Sequence, residues 1–337
     1  MSIVGIIANP SAGRDIRRLV AHASVFDNNE KVNIVRRVLL ALDATGVQRV
    51  LFMPDAFGIG RKALDNLHLK LTAETVAMAP RFEERDSTEA AARMAAAGAC
   101  TLITLGGDGT NRAVAKACGA IPLTPISTGT NNVFPVMVEG TIAGLAAGLV
   151  ATGAVPWTIA TRPTKRLELW RNDQLEEIAL VDAVVYRERF IGARAIWHAD
   201  EIQEVVLAHA DPFSIGLSAI GGYLERTPLG ENEGLFIEVG DGGATVLAPI
   251  APGLIQPIPV KSHRRLQPGD SITIDRTPTV IALDGERKFT LRQGERVEIR
   301  LSQAGPLVVD ISRTLQYAVQ NGWFVRSSQA APTANRA

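Results

Sequence analysis

The chain has 337 residues, which at about 150 residues per domain makes about two domains with enough core to need no disulfide staple. Lys plus Arg number 35 and Asp plus Glu number 35, so the formal net charge is zero, which excludes a dedicated nucleic-acid clamp with its basic excess. Apolar residues make up 46%, which excludes a largely disordered chain, and Cys100 and Cys118 are the only cysteines, which excludes a disulfide framework and a cysteine zinc site.

The opening residues Met1-Ser2-Ile3-Val4-Gly5 carry no basic leader region, and the expectation is a cytoplasmic protein. Ile3 to Ala8 is a short apolar run stopped at Asn9-Pro10, a buried strand. Arg14 to Val25 reads as a first helix. Val32, Val35, Val38, Leu39 and Leu42 have helical spacing. Val50 to Met53 is a strand ended by Pro54, Arg61 to Leu71 a helix, and Glu74 to Met78 a short strand. Asp86 opens a helix, with Glu89 three residues on in the form of a capping box. Cys100 to Leu105 is a central strand, Asn111 to Cys118 a helix, Ile121 to Ile126 the next strand and Gly140 to Ala151 a small-residue helix. This alternation predicts an α/β class, a doubly wound, mostly parallel sheet with helices on both faces. From Ala117 to Thr161 the only charge is Glu139. Pro122, Pro125, Pro135 and Pro156 interrupt that stretch, so no transmembrane segment is expected in it.

The pattern changes near Pro156. Leu167–Trp170, Glu177–Val185, Gly234–Val239, Ser271–Ile274, Thr279–Leu283 and Val297–Leu301 are short segments separated by turn signals, which predicts a second domain rich in antiparallel β-structure. Helical spacing persists around Ala193 to Ala210. Pro249, Pro252, Pro257 and Pro259 suggest an irregular or edge segment. The expected division is 1–155 for an α/β domain, to which 313–326 returns, 156–312 for a β-rich domain, and a frayed tail over 327–337.

Three polar loops follow predicted parallel strands, where ligands of such sheets bind. Gly106-Gly107-Asp108-Gly109-Thr110 joins a strand to a helix. Its glycines let backbone approach a phosphate, and the helix N-terminus offers free N–H groups. Asp108 beside phosphates makes sense as a magnesium holder or as a base for an attacking hydroxyl. The bland alternative is a tight turn with Asp108 as helix cap. Asn9-Pro10-Ser11-Ala12-Gly13-Arg14 follows the first strand, with Arg14 suited to a phosphate oxygen. Ser127-Thr128-Gly129-Thr130-Asn131-Asn132 follows the strand after the Gly-Gly-Asp loop, and its hydroxyls and amides suit a base, ribose or phosphate.

Together these motifs resemble the superfamily of NAD kinases and diacylglycerol/sphingosine-type lipid kinases, and within it most nearly the ATP-NAD kinase-like AcoX group, named from acetoin-catabolism operons. Asp86-Ser87-Thr88 is similar to the Asp-Ala-Thr stretch of the bacterial lipid kinases, and Leu283-Asp284-Gly285-Glu286 is similar to their late Asp-Gly-Glu motif. The resemblance implies an ATP- and magnesium-dependent phosphotransferase with its site in the cleft between the two domains. It implies Asp108, Asp284 and Glu286 as catalytic or metal-organising acids. It places Thr88, Gly107, Gly109, Thr110, Gly129 and Thr130 on the ATP phosphates, while Asn9, Ser11, Gly13, Arg14, Gly106, Thr128, Asn131 and Asn132 complete the nucleotide-binding loops. The acceptor is expected to be a small hydroxyl compound or a nucleotide such as NAD, and the protein a homo-oligomer without nucleic-acid partners.

The chain departs from both branches. Gly129-Thr130-Asn131-Asn132 lacks the acid of the lipid kinases, and Pro212 to Gly222 matches only part of the stretch that shapes the NAD pocket. The acceptor is therefore open between a nucleotide or small molecule, a lipid, and none at all in a non-catalytic accessory protein of acetoin catabolism. Asp284 and Glu286, two apart, are expected to share one face at the end of a strand. Gly58-Ile59-Gly60-Arg61-Lys62-Ala63 fits a dinucleotide pattern but stands away from its strand and reads as a loop. His22, His68, His198, His209 and His263 lack ligand spacing.

Overall fold

A computed structural model describes residues 1–12, 26–187 and 201–325. The expected helix Arg14–Val25, Gly13 and Arg14 of the first loop, the start of the 193–210 segment and the tail from Ser327 lie outside the described residues.

The α/β layer begins with β1 (Ile3–Ala8), α1 (Asn28–Ala44), β2 (Arg49–Phe52), α2 (Ile59–Leu64), β3 (Thr72–Thr75), α3 (Arg85–Ala96), β4 (Thr101–Gly106), α4 (Asp108–Ala115), β5 (Leu123–Ser127), α5 (Gly140–Ala151), α6 (Trp157–Ala160) and β6 (Thr161–Arg162). The β-rich region follows with β7 (Arg166–Arg171), β8 (Gln174–Ala179), β9 (Asp182–Tyr186), β10 (Ile202–Leu207), α7 (Leu217–Leu224), β11 (Gly234–Ala251), β12 (Leu254–Leu266), β13 (Ser271–Ile274), β14 (Thr279–Leu283), β15 (Glu286–Leu291) and β16 (Val297–Ser302). The chain then returns to the first layer through β17 (Val308–Val309) and α8 (Ile311–Gln320).

The first sheet has the order β3-β2-β1-β4-β5-β17-β6. Its ladders from β3 to β17 are parallel, and only β6 is antiparallel. Every residue of β1 and β4 is buried, as expected for strands covered on both faces. Val4, Ile6 and Ala8 pack with Val35, Val38 and Ala147 of α1 and α5. Ile3 and Ile7 point the other way, with Met94 of α3 and Val114 of α4. The strand order reverses between β1 and β4, and the crevice at their carboxyl ends is where such sheets bind ligands.

The uncharged stretch around α5 is explained by helix packing. Gly140, Gly144 and Gly148 form a stripe against α1, where a Cβ on Gly144 would fall 2.9 Å from the Val38 carbonyl oxygen. Among the described residues no helix is long and apolar enough to cross a membrane.

The β-rich region comprises a six-stranded antiparallel sheet, β12-β11-β10-β9-β14-β15, and a four-stranded one, β13-β16-β7-β8. Leu167, Val185, Ile281, Leu283, Ile299 and Leu301 fill the space between them. Val184, Val205, Leu207 and Ala282 face α7 and the β11–β12 hairpin on the other side. The proline-bearing segment contributes the edge strand β12, as its composition predicts.

Several local expectations change; the helix expected over Arg61 to Leu71, for one, runs Ile59–Leu64, and the strand expected over Glu74 to Met78 runs Thr72–Thr75. The helical spacing near 193–210 gives way to strand β10 over its described part, because Ile202, Val205, Val206 and Leu207 are all buried and such a strand lacks a two-residue period. Glu177–Val185 is two strands broken at Leu180-Val181. Asp86 does not cap α3; its carboxylate accepts from the backbone N–H groups of Arg81 and Phe82, while Glu89 pairs with Arg93.

Candidate active site at the strand-order reversal

The three sequence-marked loops meet at the β1/β4 crevice. Asn9 follows β1, and its amide donates to Thr110 Oγ1 at 2.9 Å, while its own carbonyl side chain accepts from Ser11 N. The ammonium of Lys31, buried in the first turn of α1, donates to the carbonyls of Asn9 (2.9 Å) and Ala12 (2.6 Å) and to Asn28 Oδ1 (3.1 Å). A buried lysine is tolerated when its donors are filled. Lys31 thus fixes the Asn9–Ala12 loop from below.

Gly107 caps α4 with extended backbone and no side-chain cap bond. Among the described residues no side chain caps the first N–H groups of α4, the arrangement that favours an anion. Asn111 ties the loop to its strand. It accepts from Thr104 Oγ1 at 2.6 Å and donates to the Gly107 carbonyl at 2.9 Å.

Asn132 comes from the Ser127–Asn132 loop and wedges between the two glycine segments. It donates to Ser127 Oγ and to the Gly129 carbonyl. A Cβ on Gly107 would lie 2.7 Å from Asn132 Oδ1, and one on Gly129 3.1 Å from its Nδ2. A side chain at Gly107 would press on Asn132 of the neighbouring loop, and one at Gly129 on Asn132 of its own loop, so Asn132 would have to shift. Thr128 Oγ1 is buried with no hydrogen-bond partner. Thr130 donates to Asn131.

Asp108 is the first residue of α4. Its carboxylate accepts from the backbone N–H groups of Val133 (3.1 Å) and Phe134 (2.8 Å), so it orders the end of the Ser127–Asn132 loop. Thr88 stands apart from this constellation. Its hydroxyl donates to the Ala113 carbonyl near the far end of α4 and lines a cleft of about 640 Å³ with Arg81, Glu84, Lys116 and Glu177.

The β-rich region reaches the loop through the β14–β15 hairpin. Asp284 and Gly285 both have positive φ, 49° and 78°, the signature of a two-residue hairpin turn. Asp284 and Glu286 therefore do not share a strand face. The Asp284 side chain has no solvent exposure, and its carboxylate accepts from the N–H groups of Leu180, Val181 and Asp182. That explains the break between β8 and β9. Burial pushes the Asp284 carboxyl above the usual carboxylate range, while Arg112 and those three N–H groups pull it back. With no solvent exposure and its oxygens engaged by backbone N–H groups, the Asp284 carboxylate anchors the hairpin to the 180–182 segment. Glu286 is 52% exposed and lies against the loop. A Cβ on Gly109 would come 3.1 Å from Glu286 Oε1.

Two residues that position the site escaped the sequence reading. Lys31 is one. The other is Arg112, whose side chain has no solvent exposure. It donates to the Leu283 carbonyl, meets Glu286 at 3.1 Å and Glu84 at 3.4 Å, and stands 3.6 Å from Asp284. Its partners on the hairpin lie more than a hundred and seventy residues away in sequence, so no local pattern announces them.

Among the described residues no cluster of three or more His, Cys, Asp or Glu could hold a metal ion. Magnesium usually keeps waters and takes one or two carboxylates plus phosphate oxygens. Asp108 and Glu286, flanking the uncapped helix end, suit that habit.

Residues 4–155 match the ATP-NAD kinase N-terminal domain family, and residues 165–304 match the Acetoin catabolism protein X C-terminal domain. Acetoin catabolism protein X of Cupriavidus necator is 41% identical over 339 aligned positions, covering 94% of this chain and 92% of that protein. The yeast NADH kinase structure complexed with NADH superposes with a TM-score of 0.50 at 15% identity, covering 99% of this chain and 90% of that one; the likeness shows the fold alone. An NAD kinase from Archaeoglobus fulgidus in complex with ATP gives a TM-score of 0.45 at 12% identity, covering 96% and 100%. The chain is thus a nucleotide-kinase-like protein, and it belongs to the acetoin catabolism protein X family.

Proposed function

We propose that the protein is an ATP-dependent phosphotransferase that places the donor phosphates on Gly106–Thr110 and phosphorylates a hydroxyl of a small molecule or nucleotide such as NAD. In this reading residues 1–155 carry the nucleotide and 156–312 the acceptor. The uncapped N-terminus of α4 and the loop N–H groups bind phosphate oxygens. Asp108 and Glu286 would hold magnesium, which neutralises phosphate charge when bound. Asp108 would also accept the acceptor's proton. The observation that carries the reading is the convergence of Asn9, Gly107 and Asn132 at the strand-order reversal, with Glu286 brought against Gly109 from the other region.

One observation favours a second reading, a nucleotide-binding accessory protein without catalysis: the Asp108 carboxylate already holds the Val133 and Phe134 N–H groups. Incubation with MgATP and a panel of hydroxyl acceptors, NAD among them, separates the two. A phosphotransferase releases ADP in step with a phosphorylated acceptor identified by mass. ATP binding with no product from any acceptor class, lipids included, favours the accessory reading.

A further inference from the structure

Arg112 sits one turn after Asp108 on α4, at the i+4 position, so both project from one side of the helix. Its guanidinium is fully buried and gathers the Leu283 carbonyl, Glu286, Asp284 and Glu84. Three of those four partners belong to the β14–β15 hairpin. The fourth, Glu84, precedes α3 in the first layer, and it also meets Lys116 at 3.8 Å. The guanidinium therefore ties the two regions together at the point where Glu286 reaches Gly109.

The division of labour is visible in the geometry. Nη1 addresses the turn itself, through Leu283 and Asp284, and Nη2 addresses Glu286. A planar fork can serve both at once, whereas an ammonium is a single point charge. Without the fork, the half-exposed Glu286 side chain loses its 3.1 Å contact with α4.

We propose that Arg112 is a positioning residue: it clamps the Leu283–Glu286 turn onto α4 so that the Glu286 carboxylate is held over Gly109. The claim that this matters for MgATP rests on the phosphate-site reading above, while the clamp itself does not.

The test uses the full chain as wild type, Arg112→Lys, Glu286→Gln and the double variant, with two readouts. Arg112→Lys keeps the buried charge, so the fold survives better than with a neutral residue. Amide hydrogen exchange in that variant is expected to rise about tenfold or more over 279–291 and 180–182, with the amides of β1 and β4 unchanged. Calorimetry is expected to show MgATP affinity falling about tenfold in each single variant, with the double variant no weaker than Glu286→Gln alone, because one residue acts through the other. Unchanged exchange in the hairpin overturns the clamp. Losses that add in the double variant overturn the action through Glu286. If the wild type binds no MgATP, the phosphate-site reading fails, and the exchange result alone then decides the clamp, faster upholding it and unchanged overturning it.

Discussion

Replacing Asp284 with alanine is expected to destabilise the protein by about 3–5 kcal/mol, the range for removing one partner of a buried ion pair. The change strips the acceptor from the N–H groups of Leu180, Val181 and Asp182 and leaves Arg112 without its fully buried counter-charge. None of these groups can turn to water, since Leu180, Val181 and Arg112 are themselves buried. Asp284→Asn keeps the shape and one acceptor oxygen and is expected to cost less. Urea unfolding midpoints of the two variants measure this. A loss below about 1 kcal/mol in the alanine variant would show that the carboxylate anchors nothing.

The second large effect is expected at Asp108. Asp108→Asn retains an oxygen for the Val133 and Phe134 N–H groups, so the Ser127–Asn132 loop keeps a partner, while charge and basicity are gone. Turnover with the best acceptor is expected to fall about a hundredfold or more, the scale of lost general-base or metal-organising action. ATP binding measured without magnesium is expected to change little. Undiminished turnover would remove Asp108 from the chemistry and leave it as a loop anchor.

Much of the fold is written locally. The apolar runs Ile3–Ala8 and Cys100–Leu105 announce strands covered on both faces, and polar loops follow both at the strand-order reversal. Asp284-Gly285 adopts the positive-φ pair that this dipeptide favours, a local signal that the strand-face expectation for Asp284 and Glu286 overlooked. What the sequence hides is pairing at long range. Gly107 invites a phosphate explanation, yet in the fold it also lies close against Asn132 from the loop after β5. Asp284 and Glu286 look equivalent in the motif. The turn between β14 and β15 buries the first and leaves the second half-exposed, because the Asp284 oxygens are captured by amides a hundred residues earlier. Arg112 and Lys31 have no local mark at all, since a buried cation is recognised only by the carbonyls and carboxylates that surround it. The β10 segment misleads for another reason: a strand buried on both faces has no polar side from which to read a two-residue period.

The central claim is that the Gly106–Thr110 loop binds the donor phosphates, and calorimetric titration of MgATP into the wild type and Gly107→Val tests it most directly. The valine Cβ would collide with Asn132 at the mouth of the helix end, so affinity is expected to fall about tenfold or more while the circular dichroism of the fold is retained. Equal affinity in the two proteins, or no binding to the wild type, would contradict the assignment of this loop as the phosphate site.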